Sequence, residues 1–160
     1  MKSLDDFLAY ENLGLVMKFS QKQNISINES TELFGDLKMW IWFLGQRPKN
    51  SSAFPVYPEQ GIIDEYWHEF ILSTKDYCDF CRSFVGRYVH HEPSDFHAEG
   101  HRATLDEITL KSETLRVSML EVAEALGVPI MRRWYEEFPR KYFFNKLREK
   151  ENSCENRRRT

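Results

Sequence analysis

Apolar residues recur at three- and four-residue steps along nearly the whole chain, and this is the period of an amphipathic α-helix. The clearest example runs from about Glu29 to Leu44. Its apolar residues are Leu33, Phe34, Leu37, Trp40, Ile41 and Leu44. Only seven Gly and six Pro occur in 160 residues, which argues against a loop-dominated fold. The pattern therefore predicts an all-α protein of five or six helices.

Capping and turn residues set the limits of several predicted helices. Ser3 can cap a first helix, whose apolar residues are Leu4, Phe7, Leu8, Leu15, Val16 and Phe19. Gly127 is a good C-terminal stop for a long helix from about Leu105 to Leu126. A last helix is predicted from Pro129 through roughly Lys150, with a kink at Pro139.

The helical stretch that starts near Ile62 is not predicted to run straight to Phe84. Ser73-Thr74-Lys75-Asp76 has the Ser-x-x-acid form that caps the N-terminus of a helix. One helix should therefore end near Leu72 and another should begin there. The sequence thus predicts a helical hairpin near residues 62–85.

Length and charge predict one domain with a basic end. A chain of 160 residues, 41% hydrophobic and 29% charged, is typical of a globular domain with its own core. Residues 1–130 carry 12 Lys or Arg against 20 Asp or Glu, whereas residues 131–160 carry 10 against 5. We therefore predict a single helical domain over residues 1–150 and a disordered basic tail over residues 151–160.

Membrane insertion, secretion and nucleic-acid binding are not favoured. The longest apolar run, Met39 to Leu44, is far short of a membrane span, and the N-terminus has no signal region. Three cysteines, an odd number, are not typical of a disulfide framework, and this favours a cytoplasmic location. Helix periodicity explains the aromatic residues of the basic end as a buried stripe, so a protein partner is favoured over nucleic acid. The oligomeric state stays open.

All five histidines and two of the three cysteines lie between His68 and His101. These side chains bind transition metals and carry proton or thiol chemistry near neutral pH. Their concentration indicates a site, but no base, orienting group or oxyanion site identifies a catalytic residue. Three interpretations remain open.

The first interpretation is a zinc or iron site. The candidate ligands are Asp64, His68, Cys81, His90 and His91. Asp64 and His68 are four residues apart and share one face of a helix, so Asp64 could be a ligand or an acceptor that fixes the His68 ring. The turn near Ser73 is required, because a straight helix would separate His68 from Cys81 by about 20 Å.

The second interpretation is a two-Cys, two-His zinc site. Its ligands would be Cys78, Cys81, His97 and His101, which have the required spacing. The cysteines lie inside a predicted helix rather than on a tight knuckle, and the acidic surroundings disfavour a DNA-reading finger. This set therefore rests on spacing alone.

The third interpretation is purely structural. Trp67 would belong to the core, and a buried His68 would hydrogen-bond Asp64 or a backbone carbonyl. Buried cysteines would act as small apolar residues, while Gly86 and Pro93 would bracket an irregular segment. The chain would then be a non-catalytic module for protein interaction or regulation. This interpretation is favoured, because most helical domains need no metal.

One block of residues resembles a known family. The block is Asp64-x-x-Trp67-His68-x-Phe70-Ile71-Leu72, Tyr77-x-x-Phe80-Cys81, Gly86 and His90-His91-x-Pro93. It is similar to the family called glycine-rich domain-containing protein-like, although this chain has no glycine-rich region. Many members have a second histidine where this chain has Phe70. The resemblance implies no established activity, and it supports the first set of candidate residues rather than Cys78, His97 and His101.

Overall fold

The computed structural model describes residues 1–48, 54–57, 60–91 and 105–143. This part of the chain is helical and contains no strand, so the all-α prediction is confirmed. Its α-helices are α1 (Leu4–Leu8), α2 (Leu13–Gln23), α3 (Ile27–Gln46), α4 (Gly61–Leu72), α5 (Thr74–Phe80), α6 (Leu105–Leu126) and α7 (Val128–Arg132). A π-helical turn, Cys81–Val85, continues α5, and two more, Arg133–Glu137 and Pro139–Phe143, follow α7. None of the described helices is long and apolar enough to cross a membrane.

The described part has seven α-helices where the sequence predicts five or six, because the first predicted helix is divided. Ser3 caps α1 as predicted, and it forms a reciprocal capping box with Asp6. A second cap then starts α2, since the Asn12 side chain accepts a hydrogen bond from the backbone N–H of Leu15. The sequence pattern alone did not reveal this second start.

Contacts within the fold divide the chain into two compact units. The first is made of Met1–Phe54 and Ile63–Glu92, and the second of Pro55–Ile62 and Pro93–Thr160. The first unit has an aromatic core in which neighbouring ring centroids lie 4.8–6.3 Å apart. The rings of this cluster are Phe7, Tyr10, Phe34, Phe70, Phe80 and Phe84. The predicted tail at residues 151–160 lies outside the described residues.

The helix break at Ser73 is where the sequence predicts it. α4 ends at Leu72 and α5 begins at Thr74. Ser73 does not cap α5 with its side chain, however, because its hydroxyl lies 3.4 Å from the carbonyl oxygen of Glu69. The ring of Phe70 on α4 contacts the ring of Tyr77 on α5 at 5.2 Å, so the two helices pack against each other.

The second unit is built around α6, which spans Leu105–Leu126 as predicted. Gly127 ends it with a φ of 91°, in the left-handed region that favours glycine. The chain after α7 stays helical but widens into π turns, and the second of these begins at Pro139, which has no N–H to donate. The remainder of the last predicted helix, beyond residue 143, lies outside the described residues.

A buried carboxylate joins α4 to α2 in the first unit. The Glu69 side chain is 5% exposed and pairs with Lys22 and, at 2.9 Å, with Lys18. Hydrogen bonds from Lys22 and then from Lys18 hold the pKa of Glu69 below its ordinary value of 4.5. Since unfolding restores the ordinary pKa, the pairing stabilises the folded state above a pH of about 4.5. That stability is lost as the pH falls through the lowered pKa.

We therefore expect Glu69→Gln to lower the free energy of unfolding at pH 7 by about 1–3 kcal/mol. The difference from the wild-type protein should shrink as the pH falls through the lowered pKa of Glu69, because the Glu69 carboxyl group then becomes uncharged like the amide of the variant. Urea denaturation at pH 7, 5 and 3 measures it. Asp79→Asn is the control, because the ion pair of Asp79 with Arg82 is exposed and should contribute less than about 0.5 kcal/mol. A pH-independent effect of Glu69→Gln would contradict this explanation.

Candidate metal site

Asp64 and His68 lie on the same face of α4, one helical turn apart. The Nδ1 atom of His68 is 2.8 Å from the backbone carbonyl oxygen of Asp64 and 3.4 Å from its Oδ2 atom. With the proton on Nδ1, His68 donates to that carbonyl, and its Nε2 atom keeps the lone pair that a metal needs. The side chain of His68 is 53% exposed and that of Asp64 is 29% exposed, so solvent reaches this face of the helix.

His91 approaches the same carboxylate from the segment that follows α5. Its Nε2 atom is 2.6 Å from Oδ1 of Asp64. Its ring lies edge-on to the ring of Trp67, with centroids 4.5 Å apart, and is also 4.5 Å from the ring of His68. The Asp64 carboxylate therefore contacts two imidazoles, one from its own helix and one from a segment 27 residues further along the chain.

These three residues form a group that could hold a metal ion. Asp64, His68 and His91 each offer one ligand atom, and these atoms all lie within 4.8 Å of one another. Bond lengths of about 2.0–2.2 Å to zinc place tetrahedral ligand atoms about 3.3–3.6 Å apart. A shift of about 1.5 Å or less would thus bring them around one ion. The exposed His68 ring has the freedom to make that shift.

Several contacts hold the segment that carries His91. Gly86 has a φ of 81°, which favours glycine, and its N–H donates to the carbonyl oxygen of Cys81. The Arg87 guanidinium donates to two carbonyl oxygens in the last turn of α3, each 3.3 Å away, and to the Arg47 oxygen just after it at 2.8 Å. The Tyr77 hydroxyl donates to the carbonyl oxygen of Val89 at 2.7 Å. The position of His91 is thereby set by α3, α5 and the end of the π turn.

The structure separates the other predicted ligands from this group. Cys81 is buried, and its neighbours are the Tyr77 side chain and the Val89 backbone. Burial raises the pKa of the Cys81 thiol, so it is protonated at neutral pH. His90 instead packs its ring against Tyr88, with centroids 4.9 Å apart. The first predicted ligand set is therefore divided, and only Asp64, His68 and His91 come together.

The second predicted ligand set is only partly described. Cys78 is an exposed free thiol and Cys81 is a buried one, so the two cysteines face different surroundings. His97 and His101 lie outside the described residues, as does Pro93. Trp67 lies in the core, at 2% exposure.

Comparison with known proteins places most of this chain in one family. A family model described as UCP032817-like matches residues 9–112, more than half of the chain. The chain belongs to the UCP032817-like family. The predicted resemblance to the glycine-rich domain-containing protein-like family is therefore wrong, because the residues quoted for it lie inside the stretch that UCP032817-like matches. No curated protein and no solved structure matches the chain significantly.

The candidate site lies within the part of the chain that defines the UCP032817-like family, since Asp64, His68 and His91 are all between residues 9 and 112. The sequence did not distinguish His91 from His90. One signal was available: adjacent side chains of an extended segment point to opposite sides, and Val89 and His91 would then share a side. The burial of these side chains agrees with that alternation, because Val89 is buried, His90 is exposed and the His91 side chain is only 11% exposed.

Proposed function

We propose that this UCP032817-like domain binds a divalent transition-metal ion, zinc or iron, through Asp64, His68 and His91. The observation that supports the proposal is the convergence of two imidazoles and one carboxylate within 4.8 Å. Asp64 and His68 lie on α4, and His91 lies on the segment that follows the π turn; all three belong to the first unit. The arrangement is more than a pair of neighbouring surface residues on one helix, because the tertiary fold brings His91 to Asp64.

The set of donor atoms favours zinc or iron over calcium or magnesium. Calcium and magnesium prefer oxygen ligands, whereas imidazole nitrogen suits zinc and iron. Two histidines and one carboxylate are the ligands of some catalytic zinc sites and of non-haem iron(II) sites. Three protein ligands leave at least one coordination position for water or a substrate. Because Asp64 and His68 are partly exposed, that position would be accessible from solvent.

Charge also favours a divalent cation at this site. Two neutral imidazoles and one carboxylate carry a net charge of −1, so a divalent ion would give the centre a net charge of +1. The bound ion would act as a Lewis acid and lower the pKa of a bound water.

The proposal is tested by measuring the metal content of protein purified without a metal-affinity tag. After equilibration with zinc and dialysis, we expect about one ion per chain in the wild-type protein. His68→Ala should retain about a tenth of that or less, because a ligand is lost. Cys78→Ser should retain the wild-type content, because Cys78 is an exposed thiol that lies outside the ligand group. Equal, substoichiometric metal in all three proteins would contradict the proposal and support a non-catalytic interaction or regulatory module.

A further inference from the structure

A buried pair of hydrogen bonds connects α4 to the segment that carries His91. The Nε1–H of Trp67 donates to the Tyr77 hydroxyl at 2.9 Å, and that hydroxyl donates to the carbonyl oxygen of Val89 at 2.7 Å. Tyr77 is 0% exposed, Trp67 is 2% exposed and Val89 is 6% exposed. Trp67 directly precedes His68 in the chain, and Val89 lies two residues before His91.

We infer that Tyr77 is a positioning residue for the candidate metal site, and that its hydroxyl holds His91 against Asp64. The expected effect of Tyr77 on metal binding rests on the proposed function. The positioning of His91 does not, because His91 already contacts Asp64 in the protein without metal.

Phenylalanine could not replace Tyr77 in this role. The Tyr77 hydroxyl accepts one hydrogen bond and donates another, so its loss leaves a buried donor on Trp67 and a buried acceptor on Val89 without partners. Burial raises the pKa of Tyr77 well above its ordinary value, so the hydroxyl keeps the proton that it donates. The Val89 carbonyl then needs a new donor, and a shift of its backbone to reach one would carry His91 away from Asp64.

Tyr66 provides a matched control on α4. It is also 0% exposed, and its hydroxyl pairs with the Ser30 hydroxyl at 3.1 Å. Tyr66→Phe therefore removes the same buried group as Tyr77→Phe, but it removes it from the contact between α4 and α3. Any general loss of stability should be similar in the two variants, whereas an effect transmitted through Val89 should appear only in Tyr77→Phe.

The first measurement uses metal-free protein. Long-range ¹H–¹⁵N NMR spectra report the imidazole nitrogens, and the His91 signals are assigned by their disappearance in His91→Ala. We expect the His91 signals of Tyr77→Phe to move toward those of Asp64→Asn, and those of Tyr66→Phe to stay at the wild-type positions. In the wild-type protein, the Trp67 Nε1–H should exchange slowly with solvent. Fast exchange of this proton, or unchanged His91 signals in Tyr77→Phe, would contradict the inference.

The second measurement is zinc titration of the same proteins. Tyr77→Phe should weaken zinc binding and raise the dissociation constant about tenfold, which is the lower end of the usual effect of outer-shell substitutions. Tyr66→Phe should leave the dissociation constant unchanged. Equal weakening in both variants would overturn the positioning role. If the wild-type protein binds no zinc, the proposed function fails, and the NMR measurement still decides whether Tyr77 positions His91.

Discussion

Replacing His91 with alanine should weaken zinc binding more than any outer-shell change, by at least about 100-fold. Substitutions that only reorient a ligand typically cost 10- to 100-fold in affinity, so the loss of a nitrogen ligand should exceed that range. His91 also makes the 2.6 Å contact that connects its segment to Asp64. The variant therefore loses both the nitrogen ligand and the contact that holds this segment against Asp64. Calorimetric titration of metal-free protein with zinc measures the effect.

His90→Ala is the matched control for this prediction. The two histidines are adjacent in the chain, yet His90 packs against Tyr88 and lies outside the ligand group. We expect its removal to change the zinc dissociation constant less than about twofold. Should His90→Ala weaken binding as much as His91→Ala, the assignment of His91 as the ligand would be wrong.

Replacing Phe70 with alanine should lower the free energy of unfolding by about 3–5 kcal/mol. Phe70 is 0% exposed, and its ring contacts those of Tyr10, Phe34, Tyr77 and Phe80. Its removal would leave a cavity among these four rings, which they cannot fill unless the backbone moves. Because two of the neighbouring rings belong to α5 and its end, the contact between α4 and α5 should weaken most. Chemical denaturation of both proteins measures the loss.

Leu72→Ala is the control for Phe70→Ala. Leu72 lies two residues away on α4 but is 68% exposed. Its substitution should change the free energy of unfolding by less than about 0.5 kcal/mol, as is usual for surface positions. A small effect at Phe70, similar to that at Leu72, would show that the aromatic cluster is not the core of the first unit.

The helices were predictable because their signals are local. α6 spans the predicted residues, since its apolar period and Gly127 are both visible in the sequence. The first predicted helix was divided because a short polar cap at Asn12 competes with a continuous apolar pattern. At Ser73 the position of the break was predictable but the hydrogen bond was not, since its hydroxyl can bond either forward to α5 or back to Glu69.

The candidate site was only partly predictable. The pairing of Asp64 with His68 follows from a four-residue step on one helix, which any helical segment imposes. Cys81 also follows the predicted turn, but a cysteine in a π turn can point toward the core or toward solvent. Packing against Tyr77 decides this, and Cys81 is 1% exposed. Asp64 and His91 are 27 residues apart in the chain, so no local sequence pattern predicts the contact between them.

The sequence by itself determined that this UCP032817-like chain is helical, where α4 and α5 separate, and that its five histidines and two of its three cysteines are concentrated between His68 and His101. These properties depend on short-range periodicity and on individual capping residues. Only the tertiary structure decided which of those histidines reach the Asp64 carboxylate. The physical reason is that the path of the segment from Gly86 to His91 is set by hydrogen bonds from Arg87 to α3 and from Tyr77 to Val89, whose partners are far apart in the chain.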